Sequence, residues 1–152
     1  MKNLDKIFIG ATKKTPEIDF NHLTGELVLN GRSIPENTAK LYEPLLEWIS
    51  EYIKEPQNNT NLHLKLQYFN SSSLLWIMQV IKLLSKINKK GSILLINLYF
   101  ENDDFDFENI ELFKSLIHLI FDNIQEPKVT VGIKINGTDA EGRVVDEETI
   151  FM

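Results

Sequence analysis

A nearly continuous apolar run from Ile93 to Phe100, interrupted at Asn97, constrains the fold of this chain more than any other feature. Such a run is typical of a strand that is covered on both faces, as in sheets that carry helices. Residues 62–69 alternate between apolar and polar side chains before this run, and residues 129–135 alternate after it. Both patterns indicate strands. We therefore expect an α/β domain, with helices packed on a mixed β-sheet.

A hairpin and three helices complete the predicted order β-β-α-β-α-β-α-β. Residues 18–30 alternate on either side of a polar, glycine-containing turn, which predicts the hairpin. Pro44 lies inside the first predicted helix, where it should cause a kink or an irregular first half. The helices are predicted over residues 33–54, 74–88 and 108–123.

The length of 152 residues fits a single domain. We assign residues 1–136 to that domain and expect residues 137–152, which are rich in charges, to form a mobile tail. The apolar runs are far shorter than the ~20 residues that a membrane span requires. The N-terminal segment also lacks the apolar core of a secretory signal. The sequence therefore predicts a cytoplasmic protein that does not enter a membrane.

Charge and residue types argue against several kinds of site. The chain has 22 acidic and 16 basic residues, a net charge of −6, which argues against nucleic-acid binding because phosphate backbones require a positive face. The absence of cysteine excludes disulfides and thiolate metal sites. His22, His63 and His118 do not have metal-ligand spacing, and the sequence has no glycine-rich nucleotide motif. We predict no metal and no cofactor.

An acidic run after the central strand leaves two interpretations open. The run lacks the mid-loop glycine of a calcium-binding hand, which weakens a calcium assignment. It is either a solvated loop with acids at the start of a helix or a docking surface for a basic partner, and Asp103 and Asp104 are then the candidate contacts. The run consists of Glu101, Asp103, Asp104, Asp106, Glu108 and Glu111.

Hydroxyl side chains are concentrated where the strand at residues 62–69 gives way to a helix, in the segment Asn70-Ser71-Ser72-Ser73. Asn and Ser are favoured helix N-caps, so capping alone could explain this segment. Three consecutive serines exceed what a cap needs, and a helix N-terminus is also a favourable place for a phosphate. A phosphate on Ser71 would add about two negative charges and could block a bound partner.

The helix that follows, predicted over residues 74–88, is apolar on more than one face. A helix that lies on a sheet needs only one apolar stripe. Either the third helix covers the excess, or a partner does. The candidate partner-binding residues on this helix are Leu75, Trp76, Gln79 and Val80.

Three segments together make the chain resemble the SiaC family of regulatory phosphoproteins, also known as DUF1987. They are TPEI at residues 15–18, GRSIPEN at residues 31–37 and LQYFNSSS at residues 66–73. The resemblance extends over residues 15–100. It implies a fold similar to STAS domains and anti-sigma-factor antagonists.

The resemblance also implies a partner switch that is controlled by phosphorylation. In the family, a serine/threonine kinase modifies the hydroxyl after the Asn and a PP2C-type phosphatase restores it. The unmodified form binds and activates a diguanylate cyclase, which raises cyclic di-GMP. The matching position here is Ser71, where family members often carry Thr. We call the junction at Ser71, where the strand gives way to the helix, the serine corner. By the same resemblance, the residues that support this corner are Asn70, Ser72, Ser73, Pro35, Glu36 and Asn37.

Two alternatives from other classes stay open. Ser71 could be the nucleophile of an enzyme, but it would need a base, and strand alternation gives no reason for His63 to reach it. The chain could also be a constitutive interaction or scaffolding module that uses the apolar helix 74–88 as its interface. The serine corner and the resemblance favour a non-enzymatic switch protein over both.

Overall fold

The computed structural model describes residues 4–101, 107–124 and 128–151. Ten elements follow one another in the order β-β-β-α-β-α-β-α-β-β. The helices are α1 (Thr38–Tyr52), α2 (Ser71–Leu84) and α3 (Phe107–Asp122). The strands are β1 (Ile7–Ile9), β2 (Glu17–Asn21), β3 (Glu26–Ser33), β4 (Asn59–Phe69), β5 (Ile93–Glu101), β6 (Thr130–Thr138) and β7 (Val144–Phe151).

All seven strands form one mixed sheet, in which their spatial order equals their order in the chain. Strands β3 to β6 run parallel to one another, and each crossover between them carries one helix. Strands β1 and β2 extend the sheet on one side as antiparallel neighbours, and β7 closes the other side antiparallel to β6. The predicted mixed α/β architecture is confirmed.

The hydrophobic core lies between one face of this sheet and the three helices. Alternate residues of the central strands are buried there, such as Leu29, Leu62 and Ile96. Helix α2 packs between α1 and α3. Because consecutive crossovers of one hand place their helices on one side of a sheet, none of the helices that the structure describes lies on the opposite face. We call it the open face.

The open face explains the interruption of the apolar run in β5. Asn97 points to this face, in register with His63 on β4 and Lys134 on β6. It is only 4% exposed, and its amide donates to the carbonyl oxygen of Leu62 at 3.3 Å. The sequence predicted a strand that is covered on both faces. Helices cover one face of β5, whereas on the open face Asn97 is buried and Leu95 and Tyr99 are half-buried.

Several predicted boundaries change. Strand β3 continues to Ser33, so α1 begins at Thr38 rather than at residue 33, and it continues through Pro44. Helix α2 begins at Ser71, three residues earlier than predicted, because Asn70 caps it. Strand β4 begins at Asn59 and not at residue 62. The short strand β1 was not predicted.

The predicted mobile tail contains an additional strand. Residues 144–151 form β7 and pair with β6 from Val144 opposite Thr138 to Phe151 opposite Gly132. Sequence periodicity did not indicate this strand, because three consecutive acids, Asp146 to Glu148, interrupt any apolar alternation. In the part of the chain that the structure describes, no helix is long and apolar enough to cross a membrane.

Candidate functional site

The starts of α1 and α2 lie side by side at the carboxyl ends of β3 and β4. Each start has an asparagine as N-cap, which satisfies an amide that the helix itself leaves without a partner. The Oδ1 atom of Asn37 accepts from the amide of Lys40 at 3.1 Å, and Oδ1 of Asn70 accepts from the amide of Ser73 at 2.8 Å. The backbone amide of Asn70 also donates to the carbonyl of Ser33 at 3.2 Å, which fixes the start of α2 to the end of β3.

Ser73 belongs to a buried hydroxyl network rather than to the surface. Its Oγ donates to the carbonyl oxygen of Ser33 at 2.8 Å and accepts from Ser33 Oγ at 2.8 Å. A serine has one hydroxyl hydrogen, so the contact of 2.6 Å between Ser33 Oγ and Tyr42 Oη requires Tyr42 to be the donor. All three side chains are fully buried. Burial raises the pKa of Tyr42.

Ser72 joins the two helix starts at the surface. It is exposed, and its Oγ donates to Thr38 Oγ1 of α1 at 2.8 Å. Ser71, the first residue of α2, is exposed as well, and its hydroxyl makes no hydrogen bond with any residue that the structure describes. Of the three serines, Ser71 therefore combines exposure with a hydroxyl that has no hydrogen-bonding role among the described residues. Because Asn70 is the cap, capping does not account for Ser71.

One exposed apolar side chain lies next to Ser71. Leu75 is 68% exposed and follows Ser71 by four residues, which places both on the same helix face. Gln79 continues this face one turn further and is exposed. We call Ser71, Leu75 and Gln79 the switch surface. A phosphate on Ser71 would lie at one end of it.

Two of the predicted partner-binding residues do not belong to that surface. Val80 is fully buried, so its assignment to a partner contact is wrong. Trp76 is half-buried and stacks on Tyr42, with ring centroids 6.3 Å apart and 14° between the ring planes. The flanking helices α1 and α3 thus cover most of the apolar excess of α2. Little apolar area is left for the alternative of a scaffolding module.

The residues predicted to support the corner from α1 differ in their roles. Asn37 caps its own helix, and Glu36 pairs with Lys14 at 3.0 Å in an exposed salt bridge. Pro35 is half-buried in the connection between β3 and α1. None of the hydrogen bonds described for these three residues reaches Ser71. The contacts to α2 come instead from Ser33, Thr38 and Tyr42, which the sequence did not single out.

The structure does not describe most of the acidic run, and it holds His63, the candidate base of the enzyme alternative, on the open face. Asp103 and Asp104 lie outside the described residues, so their predicted contact role stays a prediction. Within the ranges that are described, no three His, Asp or Glu side chains gather to hold a metal. His63 is hydrogen-bonded on the open face, with Nδ1 2.7 Å from Tyr99 Oη and Nε2 3.2 Å from a carboxylate oxygen of Glu26. It is thus engaged away from the helix-bearing face.

A known protein family matches most of this chain. Residues 9–135 match the family described as SiaC family regulatory phosphoprotein. An uncharacterised protein of Pseudomonas aeruginosa strain UCBPP-PA14 is 30% identical over 88 residues, which cover 58% of this chain and 70% of that protein.

Solved structures share the fold. Apo-SiaC from Pseudomonas aeruginosa matches with a TM-score of 0.62 at 23% identity, over 84% of this chain and 98% of SiaC. A chain in the crystal structure of the diguanylate cyclase SiaD in complex with its activator SiaC, also from Pseudomonas aeruginosa, matches with a TM-score of 0.65 at 23% identity, over 82% of this chain and 97% of that one. The family match spans most of the sequence, and the chain belongs to the SiaC family of regulatory phosphoproteins.

Proposed function

We propose that this protein is a non-enzymatic switch that is phosphorylated reversibly on Ser71, and that its unphosphorylated form binds and regulates a diguanylate cyclase. The observation that carries the proposal is the division of labour among the three serines. Ser73 and Ser72 are hydrogen-bonded to β3 and α1, whereas the hydroxyl of Ser71 makes no hydrogen bond among the described residues and lies beside exposed Leu75. The complex of SiaC with SiaD in Pseudomonas aeruginosa supports the choice of partner.

A phosphate on Ser71 would be tolerated by the fold. The first turn of α2 presents backbone amides without helical partners and the positive end of the helix dipole, both of which favour a negative group. The hydrogen bonds of Ser72 and Ser73 would not need to change. Phosphorylation can therefore act without rearranging the protein, through the charge that it adds at the surface.

The same phosphate would oppose a partner that covers Leu75. Packing an apolar surface against Leu75 removes water from the adjacent Ser71 position. A neutral serine tolerates this, but a phosphate with about two negative charges does not, unless the partner supplies cations. The unphosphorylated form is consequently the binding form.

The proposal requires two further enzymes and no cofactor. A serine/threonine kinase would add the phosphate from ATP and a PP2C-type phosphatase would remove it, both in the cytoplasm. The protein itself would catalyse no reaction, because the Ser71 hydroxyl has no base hydrogen-bonded to it among the described residues. Any change in cyclic di-GMP would come from the partner.

Binding of a diguanylate cyclase by two variants tests the proposal. Ser71→Asp places a charge where the phosphate would be, and Ser71→Ala removes the hydroxyl without adding charge. Calorimetry with a diguanylate cyclase of the native host should show that the alanine variant keeps the affinity of the unchanged protein, while the aspartate variant loses about tenfold or more, ~1.4 kcal/mol. Ser50→Asp is the matched control, since Ser50 is an exposed helical serine on α1.

Leu75→Ala sharpens the same experiment. We expect Leu75 to be among the minority of interface residues whose truncation costs more than ~1 kcal/mol of binding energy, which is about a fivefold weaker complex or more, with an unchanged fold. Equal affinity of Ser71→Asp and Ser71→Ala would contradict the proposal. An unaffected Leu75→Ala variant would place the interface elsewhere.

A further inference from the structure

The open face has a concentration of cations and tyrosines at the carboxyl ends of β3, β4 and β5. Arg32 lies 5.9 Å above the ring centroid of Tyr68, its register partner on the next strand. Lys65 Nζ lies 4.9 Å from the ring centroid of Tyr99. We call Arg32, Lys65, Tyr68 and Tyr99 the basic–aromatic patch. Both cation–π pairs have the geometry that is attractive in proteins.

The two cations of the patch differ from other charged groups on the same face. Lys134 is paired with Glu147 at 3.2 Å. Arg32 and Lys65 make no ion pair within the ranges that the structure describes, and both are exposed. A tyrosine ring orients a cation without neutralising it, so both charges stay available to an incoming anion. In a chain with a net charge of −6, this is a local positive site.

The composition of the patch is that of a protein interface. Arg and Tyr are enriched in the residues that dominate binding energies, because they combine a large contact area with few rotatable bonds or with a rigid fork of donors. Tyr68 is 56% exposed, a large fraction for an aromatic residue on a sheet. It precedes Ser71 by only three residues, so a short stretch of chain connects the patch to the start of the switch surface.

We propose that the basic–aromatic patch docks an acidic segment of a protein partner. Carboxylates of that segment would pair with Arg32 and Lys65, and its backbone and apolar atoms would lie against the two tyrosine rings. Charge complementarity identifies the occupant, since nothing in the patch itself is acidic. Nucleic acid fits less well, because its binding relies on many phosphate contacts along a basic stripe and the patch offers two cations, Arg32 and Lys65.

This surface is distinct from the switch surface and does not require Ser71. A partner that covers both would be held by an anchor that phosphorylation leaves in place and by a contact that phosphorylation removes. The patch would then determine which partners bind, and Ser71 would determine when they bind.

Nuclear magnetic resonance titration with deca-glutamate, with deca-glutamine as control, tests the patch in the full chain. We expect saturable shifts centred on the four patch residues with deca-glutamate only, and weaker binding as salt is raised. The double variant Arg32→Gln/Lys65→Gln should lose about fivefold or more in affinity, because an exposed pair of unit charges contributes roughly that factor. The matched control Lys82→Gln/Lys86→Gln removes two exposed cations from the other side of the molecule and should bind normally.

Three results would overturn the proposal. They are the absence of saturable shifts in the patch, an equal loss of affinity in both double variants, and tighter binding of a single-stranded oligonucleotide than of deca-glutamate. Tyr68→Ala gives a second reading, with a loss of affinity at unchanged charge. Ser71→Ala should bind the peptide as the unchanged protein does, so a failure of the patch is distinguishable from a failure of the switch.

Discussion

The starts of α1 and α2 have the same local design and different surroundings. Each has an asparagine N-cap whose Oδ1 accepts from the amide three residues later, and each has a hydroxyl residue at the first helical position. On α1 that residue is Thr38, which is half-buried and accepts from Ser72. On α2 it is Ser71, which is exposed and has no such bond among the described residues.

The residues one turn later differ in the same way. Four residues after Thr38 comes Tyr42, fully buried and bonded to Ser33. Four residues after Ser71 comes Leu75, largely exposed. Capping chemistry alone thus does not distinguish the structural start of α1 from the start of α2, which we propose to be regulatory. What distinguishes them is the exposure of the hydroxyl together with an adjacent surface that a partner can cover.

The largest expected effect is a difference in stability between variants at the residues one turn after each hydroxyl, Tyr42 and Leu75. Tyr42→Ala removes a buried ring and its hydrogen bond and should lower the free energy of unfolding by about 3–5 kcal/mol. Leu75→Ala should change it by less than about 0.5 kcal/mol. Urea denaturation measures both. If Tyr42→Ala does not fold, Tyr42→Phe keeps the ring and measures the contribution of the hydroxyl alone. Similar losses of unfolding free energy for the Tyr42 and Leu75 variants would contradict the comparison.

A smaller effect separates the serines of α2. Ser73→Ala removes a buried acceptor from Ser33 Oγ and should cost about 1–3 kcal/mol of stability, because a buried polar group loses its partner. Ser71→Ala should be neutral within about 0.5 kcal/mol. Thermal and urea unfolding of the two variants decide. A costly Ser71→Ala would show that this hydroxyl has a structural task.

Removal of the N-cap should also cost more stability at the start of α2 than at the start of α1. Asn70→Ala should cost about 1–2 kcal/mol and Asn37→Ala about 0.5–1 kcal/mol. Asn70 is half-buried, so water replaces its lost bond poorly, whereas Asn37 is exposed. The same unfolding experiments measure this difference. A larger cost for Asn37→Ala would reverse the ranking of the two helix starts.

The smallest expected effect is a dependence of the free energy of unfolding on pH, and it comes from Tyr42. Burial raises its pKa above the ordinary value of 10.0. The unfolded chain therefore releases this proton first as pH rises, and stability falls with increasing pH above about 10. Tyr99 acts with the same sign, because burial and then Glu26 raise its pKa. The free energy of unfolding would be measured from pH 8 to 11 for the Tyr99→Phe variant and for the double variant Tyr99→Phe/Tyr42→Phe. The double variant should lose less stability as pH rises, and an identical slope for both variants would contradict this role of Tyr42.

The sequence predicted the strands and helices whose buried faces impose a regular hydrophobic pattern. Alternation over residues 18–30, the apolar run of β5 and the helical segments were enough for the mixed sheet, because burial of one face imposes those periods. Strand β7 could not be predicted in this way. Its residues are held by backbone pairing with β6 and are mostly exposed, so they carry no apolar pattern.

The candidate site was predictable in part. The position of Ser71 followed from the Asn-Ser-Ser-Ser segment and from the family resemblance, but the different tasks of the three serines did not. They depend on Ser33, Thr38 and Tyr42, which are more than 25 residues away in sequence and meet α2 only in the fold. Val80 was misassigned because sequence alone does not tell which apolar residues of α2 the flanking helices cover.

The most direct test of the central claim is the identification of the phosphorylated residue. The protein and its Ser71→Ala, Ser72→Ala and Thr38→Ala variants would be incubated with native-host lysate and ATP, then analysed by intact mass and peptide mapping. The account predicts one phosphate on the unchanged protein and on the Ser72 and Thr38 variants, located at Ser71, and none on Ser71→Ala. A phosphate at another residue, or none in a lysate with demonstrably active kinases, would contradict it.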